Sequence, residues 1–239
     1  MKFEVLSNIA ILAAKKAGDF LISKKNEKKE IFSEIGRDIK LEIDRQAELI
    51  IRKELQVTNI PVLGEEFGGD NLENIYWVID PLDGTANYFR GIDESCISIG
   101  LMRSNESVMG IIYNFNNGEL YSAIQGKGAY LNDERIKVSV VDSRDQASLT
   151  TGFPASETID SSFEYLDNLR DWKKIRMFGS AALSCAYVAS GKCDCYLEKG
   201  VYLWDFAAGI CLVNEAGGKV KFKKITKETY EVNFSNNLL

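Results

Sequence analysis

Two aspartates flank a tight turn in the segment WVIDPLDGTAN at residues 77–87. An apolar strand ends at Asp80, a proline follows, and Asp83 precedes a Gly-Thr pair. This order predicts a helix that begins just after Asp83, with that aspartate as its cap. The free N–H groups of a helix start attract phosphate, whereas paired aspartates repel it, so cations must lie between the two. Magnesium suits this place because it takes oxygen ligands and bridges carboxylates to substrate phosphate.

An Asp-Pro turn followed by a capped helix would produce the same spacing without any metal. Three further acidic residues favour the metal site. Glu65 follows a short apolar strand, Asp205 opens a helical run, and Asp44 lies near the start of another predicted helix. Taken alone, Asp205 is better interpreted as a helix cap.

The chain of 239 residues contains no histidine, which excludes chemistry that uses an imidazole as base or metal ligand. Carboxylates, hydroxyls, lysines or water activated by a metal must therefore move protons. The 29 basic and 35 acidic residues give a net charge of -6, which disfavours a surface dedicated to phosphodiester backbones. We therefore expect a small-molecule partner and do not expect nucleic acid.

The five cysteines lack the spacing of a zinc site, because Cys193 and Cys195 form only a C-x-C pair. We interpret them as buried thiols of a reducing compartment. The apolar run from Ile9 to Ala14 is too short for an export signal, and no apolar stretch reaches the roughly 20 residues that cross a bilayer. A cytoplasmic protein without membrane contact is expected.

Apolar residues at helical spacing between Phe3 and Leu21 predict an amphipathic first helix, and a second helix is predicted from Ile43 to Leu55. The basic run KKNEKK at residues 24–29 is interpreted as a solvated loop rather than a polyphosphate-binding patch. The segments that follow predict a largely antiparallel sheet with these strands: Ile75–Ile79, Ser95–Met102, Ser107–Tyr113, Glu119–Ile124 and Ala147–Thr151.

Strands and helices alternate in the last hundred or so residues, which indicates a second sheet covered by helices. The predicted elements are strand Lys174–Met177, helix Ala181–Ser190, strand Asp194–Glu198, helix Trp204–Glu215 and strand Lys219–Phe222. No linker separates the two halves, so we expect one unit with two subregions. Residues 1–140 would carry most of the acidic ligands, and residues 141–239 would carry the substrate pocket and Asp205.

Three motifs resemble the signatures of the inositol monophosphatase family, in that family's order: GEE at Gly64–Glu66, DPLDGTAN at Asp80–Asn87 and WDFAAGICLVNEAGG at Trp204–Gly218. Subsidiary matches are DIKLEIDRQAE at Asp38–Glu48, GKGAYLND at Gly126–Asp133 and GSAALSCAYVASGKCDCYLEKG at Gly179–Gly200. Together the matches span nearly the whole chain. The resemblance implies a mixed α+β and α/β fold, a layered α-β-α-β-α sandwich of the inositol monophosphatase and fructose-1,6-bisphosphatase type.

The resemblance also assigns roles to individual residues. It implies metal ligation by Glu65, Asp80, Asp83, Asp205 and the backbone carbonyl of Leu82. Gly84 and Thr85 would bind the phosphate through their N–H groups, beside Asp83. Thr85 and Asp44, assisted by Glu65, would activate the attacking water. The residues implied for the alcohol part of the substrate are Gly179, Ser180, Ala181, Glu198 and Asp205.

By the same resemblance, the chain is expected to be a phosphoric monoester hydrolase that acts on inositol monophosphate or a related sugar phosphate. Two or three Mg²⁺ ions are implied as cofactors, with Mn²⁺ as a substitute and Li⁺ and Ca²⁺ as inhibitors, and a homodimer is implied. A fructose 1,6-bisphosphatase and a 3'-phosphonucleotide phosphatase stay open, because the catalytic core of the family contacts only the phosphate. Arg176 could engage a second phosphate or form a surface ion pair. The non-enzymatic alternative is a regulatory partner of RNA-processing or transcription machinery.

The chain departs from the family pattern at three places. Leu41 stands where a threonine is usual before Asp44. Relatives commonly have a lysine near Ser33, which this chain lacks, and its neighbouring basic residues are Arg37 and Lys40. This departure concerns the occupancy of a third metal site. The segment EVNFSNNLL ends where relatives continue into a terminal helix, which is expected to affect stability or assembly more than chemistry.

Overall fold

Helices and β-sheets alternate in layers in the computed structural model of this chain. The structure describes residues 2–27, 31–35, 38–69, 72, 74–153 and 169–239, with the backbone alone for residues 31–35 and 38–41. Helices α1 (Phe3–Lys24) and α2 (Glu42–Leu55) form the first layer, and a short 3₁₀ helix (Gln56–Thr58) follows α2. Both predicted helices are therefore confirmed.

A sheet of seven described strands, here called the large sheet, forms the second layer. Its strands lie in chain order: β3 (Val62–Gly64), β4 (Ile75–Asp83), β5 (Cys96–Arg103), β6 (Glu106–Asn114), β7 (Glu119–Ile124), β8 (Gly128–Leu131) and β9 (Glu134–Ile136). β3 runs parallel to β4 and the other neighbours are antiparallel, so the predicted meander is confirmed. Strands β8 and β9, which are short, were not predicted from the sequence.

Helix α1 packs on the large sheet through small and apolar side chains that recur every three or four residues. Leu6, Ala10, Ala17 and Leu21 on this face are almost completely buried. Burial of such a stripe stabilises a helix more than its intrinsic propensity does. The small residues allow a close approach, and Gly18 lies directly against Tyr113 of β6.

A hairpin precedes α2 in a stretch for which no strand was predicted. Strand β1 (Ile31–Ile35) pairs antiparallel with β2 (Asp38–Leu41). The side chains discussed for this stretch, at Ser33, Arg37, Lys40 and Leu41, lie outside the described residues. The same holds for residues 28 and 29 of the basic run, which begins at the last residue of α1.

A sheet of five described strands, here called the small sheet, forms a further layer. Its strands are β10 (Ser148–Thr151), β11 (Lys174–Arg176), β12 (Cys195–Tyr202), β13 (Lys219–Lys224) and β14 (Thr229–Ser235), in the order β11-β10-β12-β14-β13. β10 was predicted with the strands of the first sheet, but it pairs in parallel with β11 and β12. The unpredicted β14 lies antiparallel between β12 and β13.

Helices α4 (Ala181–Ala189) and α5 (Leu203–Glu215) lie between the two sheets. α5 packs closely on the large sheet because Gly100 and Gly110 have no side chain. A Cβ at Gly110 would lie 2.0 Å from the Ala208 carbonyl oxygen, so any other residue there would displace the helix. Among the described helices, none is both long and apolar enough to cross a membrane.

Candidate active site

One cavity of about 450 Å³ is lined by nearly all the residues that the sequence analysis selected. Its lining comes from the end of β4, from β12 and from the first turns of α4 and α5. The predicted residues that line it are Glu65, Asp80, Leu82, Asp83, Gly84, Thr85, Gly179, Ser180, Ala181, Glu198 and Asp205. The structure thus brings these distant stretches together, while their chemical roles stay predictions.

Asp80 lies near the end of β4 and is held by its own turn. The Leu82 N–H donates to Asp80 Oδ1 at 3.0 Å. Glu65 directly follows β3, as predicted, and forms a hydrogen bond with Asp80. Burial, and then the negative charges of Glu65, Asp83 and Asp205, raise the pKa of Asp80 well above its usual range. Acidic side chains this close share a proton unless a cation is bound between them.

The carboxylate of Asp83 caps a different helix from the one predicted. Helix α3 (Thr85–Arg90) has Gly84 as its N-cap, and no described side chain caps it. Asp83 Oδ2 instead accepts hydrogen bonds from Ser180 Oγ at 2.6 Å and Ala182 N at 2.7 Å, at the start of α4. The predicted cap is therefore wrong, because donors from across the fold lie closer to the carboxylate than those of the following turn.

Gly84 and Thr85 place the start of α3 against the cavity. Gly84 has a φ of 87°, and a Cβ there would lie 2.6 Å from the Glu94 carbonyl oxygen, so the position requires glycine. Thr85 Oγ1 donates to the Leu82 carbonyl oxygen at 2.9 Å. Because a hydroxyl has one proton, Thr85 cannot also donate to Asp44 in this conformation, and their pairing stays a prediction.

Asp44 lies in the first turn of α2, as predicted, but it is not among the described residues that line the cavity. It is buried, and its negative charge adds to the effect of burial in raising the pKa of Tyr88 to about 12. Tyr88 belongs to α3. Asp44 is therefore close to the helix that begins at Thr85, although it stands outside the cavity lining.

Asp205 both lines the cavity and supports the start of α5. It is the third residue of the helix, and its Oδ2 accepts the Tyr202 N–H at 2.7 Å. The N-cap of α5 is Tyr202, so Asp205 is not the cap that was predicted, and it supports the helix start from the third position instead. This hydrogen bond is compatible with ligation because a carboxylate has further lone pairs. Burial, and then the charges of Asp83 and Glu65, raise the pKa of Asp205 well above its usual range. The rings of Tyr202 and Trp204, which also line the cavity, stack at 4.8 Å.

Glu198 on β12 contributes a carboxyl group to the cavity wall. Tyr196 Oη donates to Glu198 Oε2 at 2.9 Å, and a Cβ at Gly152 would lie 2.3 Å from Oε1. Burial raises the pKa of Glu198 to about 7, although the hydrogen bond from Tyr196 opposes the shift. Near neutral pH this carboxyl group can therefore both donate and accept hydrogen bonds with a ligand that carries hydroxyls.

The residues present fit a hard divalent cation. Every candidate donor is an oxygen, from the Leu82 carbonyl and from the acidic cluster, which is Glu65, Asp80, Asp83 and Asp205. No lysine or arginine occurs among the described residues that line this cavity, so a cation would offset charges that the protein leaves concentrated. In the described parts of the chain, no three Asp, Glu, Cys or His side chains already form an ion-binding cluster.

Asn87 is a candidate that the sequence analysis did not single out. Its amide nitrogen donates to the carbonyl oxygens of Phe178 at 2.7 Å and of Glu94 at 2.8 Å. It thereby ties α3 to the segment that ends at Gly179 in the cavity wall. Its only signal in the sequence is its place as the last residue of DPLDGTAN.

The predicted burial of the cysteines is confirmed. All five lie among the described residues, and each is unbridged and buried. Cys96 lies behind the site, with its Sγ 3.8 Å from Asp83 Oδ2 and 3.8 Å from Ser180 Oγ.

Residues 2–231 match the family model described as inositol monophosphatase family. The chain is 40% identical over 220 residues to Nus factor SuhB of Xylella fastidiosa, covering 89% of this chain and 80% of that protein. It is 36% identical over 230 residues to inositol-1-monophosphatase of Rhizobium meliloti, covering 91% and 85%. The extragenic suppressor protein suhB from Bartonella henselae superposes with a TM-score of 0.90 at 34% identity, covering 98% and 95%.

The superposition and the alternating layers of helices and sheets confirm the predicted mixed α+β layered fold. The expectation that nucleic acid is not a partner finds no support, since one of these relatives is named a Nus factor. The match over residues 2–231, together with motif residues gathered around one cavity, shows that this protein belongs to the inositol monophosphatase family.

Proposed function

We propose that this chain is a metal-dependent phosphatase that hydrolyses a small phosphate monoester, with inositol monophosphate or a related sugar phosphate as substrate. One observation carries the proposal. The acidic cluster lines a single cavity whose described residues include no lysine or arginine. Such a cavity admits a phosphate dianion only together with cations, and magnesium is the ion that links carboxylates to phosphate in this way.

The acidic cluster and the Leu82 carbonyl would hold the magnesium ions. Leu82 O accepts one hydrogen bond from Thr85 and keeps a second lone pair for a cation. When bound, the ions would supply the positive charge that stabilises the leaving oxygen and makes water a stronger nucleophile. This chemistry needs no imidazole, which agrees with a chain that has no histidine.

The side chains and backbone of this chain would bind the phosphate, orient the attacking water and take up its proton. The N–H groups of Gly84 and Thr85 would bind phosphate oxygens at the start of α3. Thr85 Oγ1 would accept a hydrogen bond from the attacking water, and Asp44 would take up the proton after the Thr85 hydroxyl turns from the Leu82 carbonyl. Glu65, beside Asp80, would orient the same water.

The cavity wall favours a monophosphate of a polyol over a bisphosphate. Glu198, with its pKa of about 7, suits recognition of hydroxyl groups beside the backbone of Gly179 and Ala181. Arg176 was the candidate for a second phosphate, but it is exposed and lines a neighbouring cavity that shares Phe178 with this one. Among the described residues that line the cavity of the acidic cluster, none therefore offers a cationic side chain to a second phosphate.

A panel of esters tests the proposal. Inositol 1-phosphate, fructose 1,6-bisphosphate and adenosine 3',5'-bisphosphate would each be assayed with Mg²⁺, with and without Li⁺. We expect the highest kcat/KM for inositol 1-phosphate, no turnover without a divalent cation, and inhibition by Li⁺. Preference for either bisphosphate would overturn the substrate assignment while leaving the phosphatase assignment intact.

The acidic cluster is tested by Asp80→Asn and Asp205→Asn, each of which should lower kcat by several orders of magnitude. Asp194→Asn is a matched control, because Asp194 is also buried and hydrogen-bonded but accepts from Ser139 and Ser148 instead of lining the cavity. Far-UV circular dichroism would verify that the variants are folded. Near-normal turnover of folded Asp80→Asn would contradict the metal assignment.

A second candidate function rests on the relative named Nus factor SuhB, at 40% identity. This chain could act mainly as a regulatory partner of transcription or RNA-processing machinery. The complete acidic cluster favours catalysis, since a purely regulatory protein has no need of concentrated, buried carboxylates. Inactivity of the folded, Mg²⁺-binding protein towards every ester in the panel would favour the regulatory role.

A further inference from the structure

Glu48 is a fully buried carboxylate on α2, outside the cavity. Its Oε2 accepts the Glu66 N–H at 2.8 Å and its Oε1 accepts the Phe67 N–H at 3.3 Å. Both N–H groups belong to the turn of residues 65–67, which directly follows β3. A charged acceptor forms stronger bonds to backbone N–H groups than a neutral one, so Glu48 holds this turn from the side of α2.

The turn is shaped around that carboxylate. Gly64 N donates to the Gly68 carbonyl oxygen at 3.0 Å, which closes the turn. A Cβ at Gly64 would lie 2.1 Å from Glu48 Oε1, so the carboxylate fills the space that a side chain would need. The glycine of the GEE motif is therefore explained by the position of Glu48.

Arg52 balances the charge of Glu48 and binds the far end of the same turn. Its Nε donates to Glu48 Oε1 at 2.7 Å, and its Nη2 donates to the Gly68 carbonyl oxygen. The guanidinium groups of Arg45 and Arg52 lie 5.1 Å and 6.0 Å from the centre of the Phe67 ring. Both ends of the turn are thus tied to α2, and lysine in place of Arg52 could not bind in this forked manner.

We propose that Glu48 and Arg52 are positioning residues that direct Glu65 towards Asp80. Glu65 N donates to the Ile79 carbonyl oxygen at 3.2 Å, so β4 fixes the start of the turn while Glu48 fixes its next two residues. Loss of the Glu48 charge frees the turn and lets the Glu65 side chain leave Asp80. The inference rests on the proposed function in one respect, that Glu65 is a metal ligand.

Glu48→Gln tests the inference, because the amide keeps the size of the side chain but replaces an acceptor by a donor facing N–H groups. Binding of Mn²⁺, followed by the loss of the free-ion electron paramagnetic resonance signal, reports on the site without any substrate. We expect Mn²⁺ binding to weaken about tenfold, as is typical when a group behind a ligand is removed. In turnover, the Mg²⁺ concentration for half-maximal rate should rise and kcat should fall, while KM for the ester changes less than about twofold.

Glu54→Gln is the matched control. Glu54 lies on the same helix but pairs with Lys16 of α1 at 2.8 Å, away from the turn. It should bind Mn²⁺ like the wild type. Arg52→Lys is a second test of the positioning role. It should weaken Mn²⁺ binding less than Glu48→Gln because the positive charge remains.

A double-mutant cycle separates positioning from general destabilisation. If Glu48 acts through Glu65, then Glu48→Gln should cause no further loss of Mn²⁺ affinity in a Glu65→Gln background. The inference would be overturned if the losses of Mn²⁺ affinity in the two single variants were fully additive in the double variant. It would also be overturned if folded Glu48→Gln and folded Arg52→Lys both bound Mn²⁺ like the wild type. If the wild type binds Mn²⁺ but hydrolyses no ester, the proposed function is refuted. The ratio of Mn²⁺ affinities between the wild type and Glu48→Gln would still support the positioning role. Absence of Mn²⁺ binding by the wild type would refute both.

Discussion

Replacing Glu198 by glutamine should make the free energy of unfolding less dependent on pH. The Glu198 carboxyl lines the cavity, and burial is the largest cause of its raised pKa, to which the charge of Asp83 adds. Glutamine keeps the shape of the side chain and an oxygen that can accept the hydrogen bond from Tyr196. The substitution therefore removes the ionisation of this group with little change in packing.

The magnitude follows from the difference between the folded and unfolded pKa values. The pKa rises from 4.5 to about 7 on folding, and roughly 2.5 units correspond to about 3 kcal/mol. The folded state binds this proton more tightly than the unfolded state, so ionisation of Glu198 lowers stability. The cost is absent below the unfolded pKa of 4.5, grows as pH rises, and is complete above about 7. Wild-type stability should therefore fall across that window by at most about 3 kcal/mol on account of this residue.

Urea unfolding followed by circular dichroism, in metal-free buffer at about pH 5 and about pH 8, measures the effect. Glu198→Gln should gain stability relative to the wild type on going to the higher pH. The difference between the free energies of unfolding of the wild type and Glu198→Gln removes the pH dependence that both proteins owe to other groups, such as Asp80. Glu231→Gln, at a half-exposed position on the neighbouring strand β14, should differ from the wild type by less than about 1 kcal/mol at either pH. The reasoning would be refuted if the free energy of unfolding differed between the wild type and Glu198→Gln by the same amount at both pH values.

Three further predictions concern the ion, the packing and the cavity wall. Mg²⁺ should raise the Tm more at about pH 8 than at about pH 5 in differential scanning fluorimetry, because protons compete for acidic groups whose pKa values are raised. Gly110→Ala, which puts a Cβ 2.0 Å from a backbone oxygen of α5, should cost about 3 kcal/mol or more in urea unfolding. By contrast, Gly118→Ala, in an open turn with a φ of 76°, should cost about 1 kcal/mol. Asn87→Asp, which sets a carboxylate against two carbonyl oxygens, should raise KM more than it lowers kcat in steady-state assays.

Local patterns in the sequence were sufficient to predict residues that follow strand ends, but not their long-range partners. Glu65 and Asp80 could be located because each directly follows an apolar segment, and Gly64 at the end of β3 pairs with Ile79, the residue before Asp80. The cap formed by Asp83 could not be predicted, since Ser180 is 97 residues away in the chain. Strand β10 was placed in the wrong sheet for the same reason, because pairing partners are set by tertiary packing rather than by propensity.

Asp83 shows how the two sheets share one site. Its Oδ2 accepts from Ser180 Oγ and Ala182 N, whereas Oδ1 accepts only a long hydrogen bond of 3.3 Å from Ala181 N among the described groups. A carboxylate offers about four lone-pair positions, so Oδ1 retains capacity for a cation while Oδ2 continues to cap α4. The carboxylate of Asp83 on β4, a proposed metal ligand, is thereby aligned by a helix that leads into the small sheet. Separation of the two halves would remove the donors of Asp83 and the wall at Ser180 together, and for that reason the DPLDGTAN and GSAA motifs must act as one unit.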